Sequence, residues 1–189
     1  EKKYPFTNFE NSLGVIYIVR DPRNVITSLT HHYSLDYKTA FNHMINEHAT
    51  LLETSFDKDF SNFTFLNSWS NHYKSWKKFK KNFLIIKYEN LLKNPFEEFS
   101  KITNYLKNIS DFKFENNKII KAIEECSFGN MSKQEDKFGF NDNSKRNKKL
   151  NKKFFNLGPN NKWQKLLDDK TRIKIENAFH EEMKELNYL

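Results

Sequence analysis

Cysteine is nearly absent from this sequence, with Cys126 the single example in 189 residues. An intramolecular disulfide and a four-cysteine zinc site are therefore excluded. Glycine and proline are scarce, at four each. That argues against a turn-rich β-sandwich and against a glycine-rich linker protein. No apolar run approaches the roughly 18 residues that a membrane-crossing helix needs, so no membrane span is expected. The chain opens at Glu1 without the basic-then-apolar pattern of a secretory signal, and a cytoplasmic origin is the default expectation. Aromatic residues, by contrast, are plentiful: they reach 16%, with 19 phenylalanines. Such rings supply a core despite a mean hydropathy of −0.86, and their abundance argues against disorder. The length predicts one domain, residues 1–189. A net charge of +8 points to a polyanionic partner such as nucleic acid, a phosphorylated nucleotide or an anionic surface. Equally, it fits a solvated surface in a chain rich in Lys, Asn, Phe and Ile.

Gly14 to Val19 is a continuous apolar run and predicts a strand buried on both faces, as in parallel sheets. Asp21-Pro22 follows as a helix start, with Val25, Leu29 and Tyr33 predicted inward. Phe41, Met44, Ile45 and His48 mark a second amphipathic stretch, and residues 50–64 show no clean period. Leu66, Trp69, Tyr73, Trp76 and Phe79 form a helical stripe. A second buried strand is expected at 83–88, and a helix opening at Asn94-Pro95 with Phe96, Phe99, Ile102 and Leu106 on one face. Ile119, Ile120 and Ile123 mark a short helix. Residues 132–153 read as a mobile basic loop, and a last helix spans about 171–186 with Ile175, Phe179, Met183 and Leu186 inward. Two strands among many helices give an α/β chain with a small parallel sheet. So small a sheet for so many helices predicts partner strands upstream of Glu1, and hence a fragment.

Val19-Arg20-Asp21-Pro22-Arg23 is the strand-to-helix junction where open α/β folds bind ligands. The helix start favours an anion, Arg20 can hold a phosphate with two hydrogen bonds, and Ser28 can add a hydroxyl. The competing reading pairs Arg20 with a carboxylate and leaves Ser28 an ordinary helix residue. A metal site is not expected. His31 and His32 are adjacent and point apart, while His43 and His48 are five residues apart and not the four that aligns helical ligands. Cys126 reads as a small packed residue and not as a nucleophile. Trp69, Tyr73 and Trp76 read as core and not as base-stacking rings. Lys145 to Lys153 could bind nucleic acid, cover a ligand or be solvated.

The stretch from Ile16 to Ser28, with Ser28 eight residues after Arg20, closely resembles the 3′-phosphate motif of the cytosolic-type sulfotransferases. These enzymes use 3′-phosphoadenosine-5′-phosphosulfate (PAPS). The likeness continues through Trp69 to Trp76, Ile86 to Leu91, Cys126-Ser127-Phe128, and Phe155 to Gly158 with Trp163 five residues beyond. It implies a P-loop NTPase-like three-layer α/β sulfotransferase fold, truncated at its N-terminus. Arg20 and Ser28 would then hold the 3′-phosphate of PAPS or of its product, adenosine 3′,5′-bisphosphate. Tyr88, Cys126 and Phe128 would contact the adenine side, with Cys126 lacking the hydroxyl of the usual Thr. Gly158 would let backbone approach the ligand. Asn156 and Leu157 stand where the family usually has Arg and Lys. The family's Lys-Ser-Gly-Thr-Thr loop and its Lys-Thr-His segment have no counterpart in residues 1–189, so the catalytic groups are expected upstream and none within the chain. The implied reaction moves a sulfuryl group from PAPS to a hydroxyl or amine acceptor, without a metal. No membrane or nucleic-acid partner is expected, and an exposed sheet edge makes a homo-oligomer plausible. The rival expectation is a non-enzymatic basic module that binds nucleic acid or another polyanion.

Overall fold

The computed structural model describes residues 8, 10–52, 63–111, 113–140, 150 and 152–189. In chain order the elements are strand β1 (Val15–Val19), helices α1 (Pro22–His32) and α2 (Tyr37–Ile45), strands β2 (Thr50–Leu52) and β3 (Phe63–Phe65), helix α3 (Trp69–Lys77) and strand β4 (Phe83–Lys87). Helices α4 (Tyr88–Lys93), α5 (Pro95–Ile109), α6 (Asn116–Glu125) and α7 (Phe128–Phe138) follow. A 3-10 turn (Gly158–Asn160) leads to α8 (Trp163–Leu166), α9 (Asp169–Ala178) and α10 (His180–Glu185). Two compact units divide these elements: residues 1–20 with 75–133, and residues 21–74 with 134–189.

The first unit is built on a parallel pair, β1 beside β4, registered from Val15 opposite Phe83 to Val19 opposite Lys87. Val19 and Ile86 are buried as the apolar runs predict, but Ile18 is 55% exposed. A strand with one described neighbour is not sealed on both faces, which corrects the expectation of full burial. The entry to β1 is tight. Val15 N–H donates to Asn82 O at 2.8 Å, Asn82 Nδ2 donates to Leu13 O at 2.9 Å, and Tyr105 Oη donates to the same Asn82 carbonyl. A Cβ at Gly14 would meet the Tyr105 hydroxyl and come within 2.8 Å of Asn82 O. Asn94-Pro95 opens α5 as expected, with Pro at the first helical position. Its apolar stripe is only partly covered, since Phe96 is 42% exposed while Glu98 and Thr103 are buried. Ile119 of α6 is buried and Ile120 is 45% exposed.

The second unit holds the larger core, made of Ile26, Ala40, Met44, Ile175, Phe179 and Met183, with Val25, Leu29, Phe41 and Trp69 packed against it. The inward face of α1 therefore centres on Ile26, and Tyr33 is 36% exposed. The final stripe of Ile175, Phe179, Met183 and Leu186 is buried throughout. It runs over two helices, because Phe179 leaves the helical region (φ −122, ψ 24) between α9 and α10. Side chains cap three helices here: Asp21 takes Arg23 N–H, Asp36 takes Thr39 N–H and Asp168 takes Thr171 N–H. Residues without a clean period form the antiparallel pair of β2 and β3, Thr50 opposite Phe65. The expected loop at 132–153 is helical up to Phe138. Buried Glu135 is the reason: its carboxylate receives Phe154 N–H at 2.5 Å and Phe155 N–H at 2.9 Å. Lys145 to Lys149 lie outside the described residues.

Two predictions follow from these contacts. Gly14→Ala should lower unfolding free energy by about 1–3 kcal/mol in urea titration, because the Asn82 carbonyl belongs to the strand entry and has no room to yield. Burial pushes the pKa of His32 and His72 below 6.5, with the neighbouring His31 adding to the effect at His32. A depressed folded pKa means that stability is complete above the ordinary histidine value and declines as pH falls through the depressed ones. Urea midpoints should thus drop between about pH 7.5 and pH 5, and His32→Phe should flatten that slope.

Candidate functional site

Parallel register decides what meets at the carboxyl ends of β1 and β4. Val19 lies opposite Lys87, so the next residues, Arg20 and Tyr88, emerge side by side. The Arg20 guanidinium carbon sits 4.4 Å from the centroid of the Tyr88 ring, a cation–π stack. Stacking engages the face of a guanidinium, whereas donation to a phosphate uses its edge, so one side chain can do both. Tyr88 is held because it is also the first residue of α4, a short helix that sequence periodicity does not reveal. In the same unit, Cys126 caps the end of α6 and Phe128 opens α7. Phe128 is half-buried, but Cys126 is exposed, which corrects the packed role expected for it. It lies beyond the Ile119 face of α6, where the chain has already turned away from the core.

In the second unit, Ser28 lies on α1 and Gly158 begins the 3-10 turn. The structure brings these two segments together through a residue that sequence reading passed over, Asn161. Its Nδ2 donates to Ser28 Oγ at 3.0 Å and to the Asn24 carbonyl at 3.3 Å. Its Oδ1 lies 2.6 Å from Thr27 Oγ1. In return, Asn24 Oδ1 accepts Trp163 N–H at 2.9 Å. Asn161 N–H bonds back to Gly158 O at 3.1 Å, closing the turn. Gly158 has φ +50, in the left-handed region that favours glycine.

The second residue missed from sequence is Arg23. Its side chain is 8% exposed, and Nε and Nη2 reach Asp21 at 3.0 and 2.8 Å. Nη1 donates to Glu176 at 2.7 Å, Nη2 also to Tyr188 O at 2.7 Å, and the guanidinium lies 4.0 Å over the Trp163 ring. Burial disfavours its charge, yet the bonds and charges of Asp21 and Glu176 outweigh that and raise its pKa above the ordinary value. Arg23 is thus bound to two carboxylates, one at the start of α1 and one from α9.

Asn156 and Leu157 are exposed on the approach to Gly158 and bring no charge. Nearby Lys152 is bonded to Ser34 Oγ at 3.2 Å and Lys153 to Asp136 at 2.5 Å. A cleft of about 720 Å³ opens between α2 and α9, lined by Tyr37, Lys38, Phe41, Lys170 and Lys174. It contains none of the candidate site residues expected from sequence. Among the described residues, no cluster of His, Cys, Asp and Glu is arranged to hold a metal, and no helix is long and apolar enough to cross a membrane.

Fold and site together define an α/β protein, helix-rich with a small parallel sheet. The chain belongs to the sulfotransferase family, since the family model "Sulfotransferase domain" matches residues 2–187. Its fold is similar to that of mouse sulfotransferase SULT7A1 complexed with PAP, with a TM-score of 0.61 and 21% identity over 90% of this chain and 58% of that one. It is also similar to retinol dehydratase in complex with androsterone and inactive cofactor PAP, with a TM-score of 0.61 and 19% identity over 90% and 47%. Retinol dehydratase complexed with retinol and PAP gives the same TM-score and identity, over 90% and 48%. The chain thus spans about half the length of these structures. Comparison with curated protein sequences gives no match.

Arg23→Ala would leave the buried Asp21 carboxylate without its charge partner, while Glu176 keeps Arg172 at 2.7 Å, and should cost about 3–5 kcal/mol of stability in urea unfolding. Arg23→Lys should recover little, because one ammonium cannot reproduce the forked geometry.

Proposed function

We propose that this chain forms a single, partial sulfotransferase domain that carries the nucleotide-recognition part of a PAPS-dependent enzyme. The observation that supports this most is Arg20 stacked on Tyr88 at the carboxyl ends of two registered parallel strands. By resemblance, Arg20 and Ser28 bind the 3′-phosphate, Tyr88, Cys126 and Phe128 flank the adenine, and the Gly158 turn brings backbone close to the ligand. The PAP named in the related crystal structures is in keeping with that role. The complete reaction transfers a sulfuryl group from PAPS to a hydroxyl or amine and releases adenosine 3′,5′-bisphosphate. Such transfer needs a positioned base for the acceptor and cationic donors on the leaving phosphate. Residues 1–189 offer no match to the family's loop or lysine–histidine segment that supply them. The chain by itself is therefore expected to bind nucleotide and not to turn over. No metal enters this scheme. A cytoplasmic setting suits the lone, exposed Cys126.

Calorimetric titration with adenosine 3′,5′-bisphosphate and with 5′-AMP, at two salt concentrations, tests the reading. The 3′-phosphorylated nucleotide should bind more tightly. Arg20→Ala should weaken it about 10- to 100-fold, the loss of a charge-assisted contact, while moving 5′-AMP little. Equal binding of the two nucleotides, or indifference to Arg20→Ala with a steep salt dependence, would instead favour a diffuse polyanion surface.

A further inference from the structure

The cleft between α2 and α9 lies within the second unit and is lined by none of the residues assigned to the nucleotide. Sequence spacing builds its two walls. Tyr37, Lys38, Phe41 and Asn42 share one face of α2, and Lys170, Lys174 and Asn177 share one face of α9. Tyr37 and Phe41 pack against the core and give the cleft an apolar side, with Tyr37 Oη pinned by donation to Leu166 O at 3.1 Å. The three lysines are exposed. Charge is spread unevenly around α9. Its acids Asp169 and Glu176 are held by Arg172, at 3.2 and 2.7 Å. Asp168 reaches the cleft, but its two oxygens accept the N–H and the hydroxyl of Thr171, at 2.8 and 2.9 Å. Asp36 likewise caps α2 through Thr39 N–H. Among the described residues, Lys38, Lys170 and Lys174 pair with no carboxylate, whereas Lys74 and Lys153 of the same unit each do.

We propose that this cleft binds a small organic anion that joins a flat apolar ring system to a sulfonate-, sulfate- or carboxylate-type group. The ring lies against Tyr37 and Phe41, the anion meets Lys38, Lys170 and Lys174, and the amides of Asn42 and Asn177 add neutral donors. At about 720 Å³ the space is that of a small-molecule site, which runs from roughly 300 to 1,000 Å³. An inorganic anion would leave the rings unused, and a neutral hydrocarbon would leave three charges unmet. The proposal does not rest on the nucleotide reading and stands or falls apart from it.

Calorimetric titration of the full chain with naphthalene-2-sulfonate tests this. Naphthalene-2-sulfonamide serves as the uncharged counterpart and inorganic sulfate as the anion without a ring. The sulfonate should bind at least about tenfold more tightly than either. Lys170→Gln combined with Lys174→Gln should weaken it about tenfold, and Lys38→Gln several-fold, with the sulfonamide little changed. Lys162→Gln combined with Lys184→Gln removes the same charge from exposed positions that do not line the cleft and should change nothing. Phe41→Leu should weaken sulfonate and sulfonamide alike. Phe41 touches the core, so its urea midpoint is measured alongside, and the exposed lysine variants carry the test if it unfolds. No saturable sulfonate binding, equal affinity for sulfonate and sulfonamide, or equal loss in the two lysine pairs would overturn the proposal. Tighter binding of a single-stranded oligonucleotide, abolished in the Lys170 and Lys174 double variant, would overturn it in favour of nucleic acid. Loss of sulfonate binding in Arg20→Ala but not in that double variant would put the probe at the nucleotide site and overturn it as well.

Discussion

The guanidinium of Arg23 is the contact on which the second unit depends. It binds Asp21, Glu176 and the carbonyl of Tyr188 and lies over Trp163, residues spread from the start of α1 to the chain's end. A cation this deeply buried is unfavourable by itself, and it is tolerated here because two carboxylates and a carbonyl replace water around it. The arrangement also imposes geometry. A planar fork that must meet Asp21 and Glu176 together leaves little freedom to the first turn of α1 relative to α9. Burial of Ile26, Ile175 and Phe179 just beyond supplies the apolar driving force, but apolar packing alone does not fix a register.

That fixed first turn has a chemical consequence. Asp21 is both the N-cap of α1 and the partner of Arg23, so its carboxylate is engaged at the helix start. Asn24, Thr27 and Ser28 follow on one surface of α1, and all three meet Asn161. The residues of α1 thus divide by role: Arg23 secures the fold, and Asn24, Thr27 and Ser28 secure the segment that carries Gly158. Arg20, one residue before the cap, is secured differently, by the ring of Tyr88 within the first unit.

Much of this was legible in the sequence where one physical rule dominates. The apolar runs at 15–19 and 83–87 are strands, Pro22 and Pro95 open helices, and the period of Ile175, Phe179, Met183 and Leu186 marks a buried face. Arg20 stood out because a strand end is a known ligand position, and Tyr88 only through the family resemblance; their stacking then follows from register. What escaped reading is polar and long-range. Residues 132–137 lack large apolar side chains, yet they are helical with Glu135 buried against the Phe154 and Phe155 amides, 19 and 20 residues away. Asn161 looks like any turn asparagine until α1, more than 130 residues earlier, is placed beside it. Cys126 was misjudged for the opposite reason. A local apolar pattern was extended to the helix cap, one residue past the last helical residue, where the pattern no longer governs burial.

The neutral residues Asn156 and Leu157 sharpen what the proposed site has to do. Two charge-assisted contacts that the family usually provides would be missing, each worth roughly 1.5–3 kcal/mol when intact. Lys152 and Lys153 are committed to Ser34 and Asp136, so neither stands ready as a replacement without giving up a bond. Among the described residues, recognition of a phosphate would then, by the resemblance, fall on Arg20 as the charged contact, with the Ser28 hydroxyl and the Gly158 backbone as neutral donors. Neutral donors gain less from charge than from placement, and their contribution falls steeply with misalignment. Neutral donors must therefore be better ordered than the cations they replace. The Asn161 clasp and the Arg23 network provide that order around Ser28 and Gly158.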